Sequence, residues 1–193
     1  FILAPMFEIM PKRVVHDLAF TGRRLDVHEA KSLHIINDFV PYAELPPRLV
    51  QAYIAAEDKT FFEHGGIDWL GIVSAVFTNI ESLFSDARPV GASTITQQVA
   101  KSLVGNEVSL WRKIREAILA RRLEAALSKQ QILEIYLNQI FLGRNAYGVE
   151  AAAQAYFGKS VDGLDLAQMA FMAILPKAPS TYDPIRRRER ALG

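Results

Sequence analysis

Apolar residues recur at spacings of three and four along most of this chain, which is the pattern of amphipathic helices. The longest run lies between residues 69 and 84 and has eight apolar positions: Trp69, Ile72, Val73, Val76, Phe77, Ile80, Leu83 and Phe84. The ordinary interpretation of this stripe is core packing. The alternative is an apolar face that rests on a membrane surface.

Capping signals give the limits of the other predicted helices. Pro47 is well placed as the first residue of a helix that ends near Glu57. Thr94 and Gln97 have the spacing of a capping box, so a helix should begin at Ser93 or Thr94. Further helices are predicted over residues 110–127, 128–143, 148–158 and 165–175. The sequence therefore predicts a mainly α fold, in which the segments after residue 128 are scaffold.

Composition narrows the classes of function. A chain of 193 residues fits one domain with room for two lobes. Its net charge of +1 gives no reason to expect a nucleic-acid partner. The chain has no cysteine, and His64 has no second histidine at ligand spacing, so no metal site is predicted. No apolar run reaches the roughly 20 residues that cross a bilayer. We interpret the chain as part of a longer protein, anchored by a segment upstream.

The stretch "AAEDKTFFEHGG" places two carboxylates where they are disfavoured. Glu57 and Asp58 stand at the predicted C-terminal end of a helix and face the negative end of its dipole. Phe61 and Phe62 follow closely and would remove water from these groups. Both effects disfavour the ionised form and lower stability, so we expect a carboxylate here to serve a function.

A second polar segment, "GASTITQQVAK", follows a break in the apolar pattern. On a helix, one face without any carboxylate is shared by Thr94, Gln97, Gln98 and Lys101. With free N–H groups at the helix start, this face predicts an anion-binding surface. The alternative is a capped helix with a solvated polar face, which is favoured for Ser93 or Thr94 taken alone.

The third candidate segment is "LWRKIREAILARRLEAAL". Arg112 and Lys113 precede Glu116 by four and three residues, so a surface ion pair is the simplest interpretation. Two apolar stripes also run along this helix: Leu119, Leu123 and Leu127 on one side, and Ile114, Ile118 and Ala125 on the other. With both sides covered, Glu116 would lie at the edge of a buried face, and we favour a role in a cleft.

Two separated glutamates and a basic, amide-rich surface favour glycosyl chemistry. Such reactions commonly use a carboxylate on each side of an anomeric carbon. Where the leaving group is a pyrophosphate, lysine and arginine can neutralise its charge in place of a metal. The chain lacks the parallel-sheet pattern, the glycine-rich phosphate loop and the Asp-x-Asp pair that enzymes using nucleotide sugars would show.

These segments resemble the successive motifs of the peptidoglycan glycosyltransferases, glycosyltransferase family 51. The matching stretches are "EDKTFFEHGG", "GASTITQQVAK", "RKIRE" and "KQQILEIYLNQIFLG", and "AILPKAPSTYDP" resembles the last motif. They stand in family order. The proline-rich ending and the arginines after it are most similar to a class A penicillin-binding protein, whose transpeptidase domain would follow Gly193.

The resemblance implies a lysozyme-like, mainly α fold with a large helical lobe and a smaller membrane-facing jaw lobe. It implies polymerisation of lipid II into glycan strands at the outer face of the cytoplasmic membrane. The growing strand would be the donor, lipid II the acceptor and undecaprenyl pyrophosphate the leaving group, with inversion at the anomeric carbon. No certain cofactor is implied, and a divalent cation such as Mg²⁺ that assists the pyrophosphate stays open.

The resemblance also assigns roles to residues by motif. Glu57 would be the general base that deprotonates the acceptor's 4-hydroxyl, and Glu116 the second catalytic acid, near the donor's pyrophosphate. The substrate and its pyrophosphate would be bound by Ser93, Thr94, Gln98, Lys101, Arg112, Lys113 and Arg115. Glu107 and Val108 stand near a position where many relatives carry an arginine, which weakens the case for a phosphate contact from that loop.

The resemblance divides the chain into three parts, and two rival functions stay open. Residues 1–46 form an N-terminal arm that matches the family poorly, residues 47–185 the glycosyltransferase core, and residues 186–193 the start of a basic linker. A lysozyme-like hydrolase or lytic transglycosylase would have little need for the basic surface around Lys101. A non-catalytic module that binds anionic lipid would not need Glu57 in a costly place.

Overall fold

The structure, a computed structural model, describes residues 39–82, 93–104 and 109–177. The chain divides into two units between Val40 and Pro41, and every described helix belongs to the second. In chain order, the described α-helices are α1 (Pro47–Glu57), α2 (Trp69–Ser82), α3 (Ile95–Val104), α4 (Leu110–Ala126), α5 (Lys129–Gln139), α6 (Val149–Phe157) and α7 (Leu166–Ile174). Apart from one isolated bridge between Phe141 and Tyr147, the described ranges contain no β structure. The mainly α prediction is confirmed.

Most of the predicted helix limits are confirmed, and local capping explains them. The side chains of Ser128 and Asp165 each accept the N–H group three residues further on, and both capping boxes are complete. Pro47 is the first residue of α1, and Gly158 follows α6 in a left-handed conformation. These contacts join residues that are close in sequence, which is why the sequence alone predicts them.

One predicted helix limit is wrong. Helix α5 ends at Gln139 and not at Gly143. Residues 143–145 all have positive φ angles, and the chain reverses direction there. The N–H of Leu142 donates to the carbonyl of Ala146 at 3.0 Å, which closes the turn. The end of the predicted helix is therefore a tight loop.

Helix α3 lies at the centre of the packing. It packs against α4 and α5, while α1 packs against α7. Fully buried side chains of this core include Leu49, Tyr53, Phe61, Ile95, Ile132, Leu133, Leu137 and Met172. Side-chain contacts from the end of α1 reach the first turns of α3. The packing therefore brings together the first two segments that the sequence marks as functional.

The apolar stripe of α2 is only partly buried. Trp69 and Val73 are 64% and 53% exposed, whereas Ala75 is buried. The interpretation in which all eight apolar positions pack into the core is therefore wrong at Trp69 and Val73. Five side chains of the stripe lie outside what the structure describes: Val76, Phe77, Ile80, Leu83 and Phe84.

Helix α4 is covered on one side only, which corrects the prediction of two buried stripes. Ile114 and Ile118 are 47% and 51% exposed, and Ala125 is exposed as well. Glu116 lies on the covered side and is fully buried. No helix in the described ranges is both long enough and apolar enough to cross a membrane.

Candidate active site

Asp58 fixes the segment that follows α1. Its carboxylate accepts the backbone N–H of Ile95 at 2.9 Å and lies 3.0 Å from Nε2 of His64. The N–H of Gly66 donates to Nδ1 of His64 at 3.2 Å, so the proton of the neutral ring belongs on Nε2, facing Asp58. Asp58 is 7% exposed. Both side chains of this pair are thus used to hold the loop against α3.

The N-terminal end of α3 is occupied by the protein's own groups. The Thr94 hydroxyl accepts the N–H of Gln97 at 3.1 Å, and the Gln97 side chain accepts the N–H of Thr94 at 3.0 Å. The same hydroxyl donates to the carbonyl of Gly66 at 2.8 Å. The predicted capping box is confirmed, but the N–H groups of Ile95 and Gln97 are not free. The expectation of an anion site on these N–H groups is therefore wrong, because the carboxylate of Asp58 already lies there.

Glu57, the last residue of α1, has partners different from those of its neighbour Asp58. Nε2 of Gln98 donates to its Oε2 at 2.8 Å, so Gln98, predicted at the phosphate, contacts this carboxylate. Oε1 is buried and has no hydrogen-bond partner. Glu57 lines a cleft of about 350 Å³, together with Thr60 and Ser93. A carboxylate at the wall of a cleft, oriented by a hydrogen bond to one of its oxygens, suits a general base.

Glu116 is buried beneath two cations. Nη1 of Arg112 contacts one carboxylate oxygen, and Nζ of Lys113 lies 3.0 Å from the other. Lys113 also donates to the hydroxyl of Ser93 at 3.1 Å. Nε of Arg112 is buried and has no partner. Burial lowers the pKa of Lys113, and the charges of Arg112 and Lys101 lower it further. The cluster therefore carries more positive charge than Glu116 neutralises.

A larger cleft of about 600 Å³ runs past this cluster. Its polar lining includes Ser93, Gln98, Lys101, Arg112, Lys113 and Glu116. Ser93 also lines the smaller cleft, so the two clefts adjoin at this residue. Thr94 lines only the smaller cleft, and the exposed Arg115 lines neither. The structure thus brings together all the predicted site residues except Arg115, with one glutamate in each cleft.

Part of the larger cleft is formed by residues that sequence reasoning assigned to scaffold. Tyr136 and Gln139 lie on α5, and Phe141 and Tyr147 flank the turn that follows, with ring centroids 5.1 Å apart. The apolar period places Tyr136 in the core and gives no sign of the cleft. The sequence signals for the turn are Gly143 and Asn145, which the helical pattern before them obscured.

The residues around Glu116 do not fit a metal ion held by the protein. Both oxygens of Glu116 are paired with cations, which would repel a divalent ion. Across residues 39–82, 93–104 and 109–177, no three acidic or histidine side chains converge into a possible metal site.

The sequence is similar to those of known proteins. The profile of a family described as Transglycosylase matches residues 27–193. Penicillin-binding protein 1A of Rickettsia felis is 56% identical over 153 residues, which are 79% of this chain and 19% of the relative. Penicillin-binding protein 1A of Escherichia coli K12 is 52% identical over 150 residues, or 77% and 17% of the two chains. For the protein of the same name from Neisseria flavescens the identity is 50% over 155 residues, or 80% and 19%.

The family match includes every described helix and both clefts. The chain spans about a fifth of the length of the curated relatives that it matches. The predicted division of the chain at residues 46 and 185 stays a prediction. The chain belongs to the transglycosylase family and corresponds to the glycosyltransferase domain of a class A penicillin-binding protein.

Proposed function

We propose that this domain polymerises lipid II into glycan strands and releases undecaprenyl pyrophosphate. The observation that carries the proposal is the pair of adjoining clefts. Glu57 lines the smaller cleft, the cations around Glu116 line the larger one, and Ser93 belongs to both. A base therefore stands on one side of the junction and a cationic surface on the other. Transfer from a pyrophosphate donor to a sugar hydroxyl uses both.

Glu57 acts as the general base in this proposal. Lipid II, the acceptor, enters the smaller cleft with the 4-hydroxyl of its sugar near the carboxylate. Glu57 takes the hydroxyl proton as the oxygen attacks the anomeric carbon of the donor strand. The bond to the pyrophosphate breaks, and its electron pair departs with the leaving group. Attack on the face opposite the leaving group inverts the anomeric centre.

The cation cluster stabilises the departing pyrophosphate. Arg112 and Lys101 both line the larger cleft and can donate charge-assisted hydrogen bonds to it. Lys113 has its pKa lowered by burial and by the two neighbouring cations, so an anion placed among them would relieve their repulsion. Glu116 holds Arg112 and Lys113 in place through its two oxygens. We assign it the positioning of these cations beside the donor.

The first turns of α4 also suit contact with a membrane. Exposed apolar side chains flank the cations there: Leu110, Trp111, Ile114 and Ile118. A helix with basic and apolar groups at its surface binds the boundary between lipid headgroups and acyl chains. We propose that it lies on the outer face of the cytoplasmic membrane, which lets the polyprenyl tail stay in the bilayer. The upstream anchor and the C-terminal transpeptidase domain of a longer protein belong to the same proposal.

Incubation with lipid II tests the function against its rivals. The full-length protein is mixed with lipid II in detergent, and the products are separated by size. We expect glycan polymer and released undecaprenyl pyrophosphate. Cleavage of preformed glycan without polymer would favour a lysozyme-like hydrolase or lytic transglycosylase. Lipid binding with neither reaction would favour a non-catalytic module.

A further inference from the structure

Three buried oxygen atoms near the end of α1 have no hydrogen-bond partner. They are the hydroxyls of Tyr53 and Tyr136 and Oε1 of Glu57. Tyr53 is 0% exposed and Tyr136 is 2% exposed. A buried polar atom without a partner is costly, and folded proteins rarely leave several in one place. The grouping therefore points to something that these atoms bind in common.

Several observations bring the three side chains together. Tyr53 precedes Glu57 by four residues on α1, so both lie on the same face of the helix. The ring of Tyr136 meets that of Tyr53 edge to face, with centroids 6.2 Å apart. Burial raises the pKa of both tyrosine hydroxyls well above 10.0, and the charge of Glu57 raises it further. The charge of the carboxylate thus acts on both hydroxyls, although neither is hydrogen-bonded to it.

We propose that these three oxygens bind one water molecule, through which Tyr53 and Tyr136 act as positioning residues for Glu57. A buried water typically makes about three hydrogen bonds, and three neighbouring side chains here each have a buried oxygen without a partner. The water would donate to Oε1, while Gln98 already donates to Oε2. Both oxygens of the carboxylate would then be held, which fixes its direction toward an acceptor hydroxyl. The catalytic part of this inference rests on the proposed function.

Replacing each tyrosine with phenylalanine removes the hydroxyl and keeps the ring. The variants are Tyr53→Phe, Tyr136→Phe and the double variant, and the first measurement is unfolding in urea. If one water joins the hydroxyls, each single variant unfolds at lower urea than the wild type. The double variant should then be no less stable than the less stable of the two single variants, because the first change already releases the water. Single variants that are each more stable than the wild type, with effects that add, would overturn the proposal.

The second measurement is the pH dependence of lipid II polymerisation by the full-length variants. We expect kcat to fall by roughly tenfold to a hundredfold with KM little changed, because Glu57 loses its orientation. Without the water, Oε1 has no donor and the ionised form is less favoured, so the acidic limb of the rate profile moves to higher pH. Tyr156→Phe is the matched control. The partly buried hydroxyl of Tyr156 donates to the carbonyl of Leu142 at 2.9 Å, on another part of the chain. It should change stability and leave the acidic limb in place.

The two measurements separate this inference from the proposed function. A wild-type protein that makes no polymer would remove the proposed function, and the urea series would still decide whether the water site exists. An active wild type whose tyrosine variants keep the same acidic limb would overturn the positioning role alone.

Discussion

Oδ2 of Asp58 accepts the backbone N–H of Ile95 at 2.9 Å. This hydrogen bond joins the end of α1 to the start of α3 through two residues that are 37 positions apart in the sequence. A carboxylate that sequence reasoning regarded as part of a costly acidic pair is thus the internal anion at the start of α3. Its negative charge meets the positive end of the helix dipole, which is a stabilising arrangement.

Loss of this contact should unfold the domain more easily. Asp58→Ala leaves the N–H of Ile95 and the ring of His64 without their acceptor, so we expect the free energy of unfolding to fall by about 3–5 kcal/mol. Urea denaturation followed by circular dichroism measures it. Asp162→Ala, at an exposed position, is the control and should change stability by less than about 0.5 kcal/mol. Equal effects of the two changes would show that Asp58 does not hold α3.

Glu57→Gln should nearly abolish polymerisation while the fold is kept. The amide can still accept from Gln98, but it cannot take a proton from the acceptor hydroxyl. Loss of one positioned base lowers a rate by about 10²- to 10⁴-fold. Glu63→Gln changes an exposed carboxylate on the same loop and should be fully active. A Glu57→Gln protein that keeps more than about a tenth of the wild-type rate would remove Glu57 as the base.

Lys101→Ala should weaken binding of a phosphoglycolipid that mimics the pyrophosphate substrate. Lys101 lines the larger cleft but is exposed, so we expect a loss of about 1.5 kcal/mol, or roughly tenfold in Kd. Calorimetric titration of the folded variant measures the affinity. Arg121→Ala, exposed on α4 and outside both clefts, is the control. We expect Arg115→Ala to behave like the control, and a loss of affinity there would restore its predicted role.

The buried tyrosines should make the domain sensitive to alkali. Burial, and the charge of Glu57, raise the pKa of Tyr53 and Tyr136 well above 10.0 in the folded state. The unfolded chain releases these protons at lower pH than the folded protein does. The free energy of unfolding therefore has its full value below about pH 10 and falls as the pH rises further. Urea denaturation at pH 8 and pH 11 measures the loss. The double phenylalanine variant should lose less than the wild type, and Tyr147→Phe, at an exposed ring, should lose as much.

Trp111→Ser should weaken the binding of the protein to liposomes. Trp111 is 70% exposed, so its loss should leave the fold intact. It stands next to Arg112 on the apolar and basic surface proposed to meet the membrane, so we expect several-fold weaker flotation with vesicles. Leu166→Ser, 60% exposed on α7, is the control. If both changes lower vesicle binding equally, the surface at α4 has no special part in it.

The parts of the fold that depend on neighbours in sequence were predictable. The capping boxes at Ser128 and Asp165 form within one turn, and the helices begin where those residues stand. The stripes of α4 show the limit of such reasoning. Their period predicts a helix but not which side a neighbour covers, and the packing of α3 covers the side with Glu116 and leaves Ile114 exposed.

The candidate site could be predicted in its residues but not in its contacts. Gln98 is 41 residues from Glu57, and the hydrogen bond between them depends on how α1 and α3 pack. For the same reason nothing in the sequence indicates that Tyr136 lines the larger cleft, since its apolar surroundings on α5 look like those of any core residue. The order of the motifs in the sequence identifies the candidate reacting residues. Only the packing of the helices shows which side chains contact each of them.

Ser93, which lines both clefts, has a consequence for how the enzyme would turn over. Under the proposed function, the new glycosidic bond forms where the clefts meet, so a freshly joined strand occupies both at once. Neither cleft can receive the next substrate until that strand either slides along its own axis by the length of the unit just added or leaves the protein. Movement of the product out of the junction is then a part of every cycle, and a strand that cannot move would halt the enzyme with its base and its cations intact.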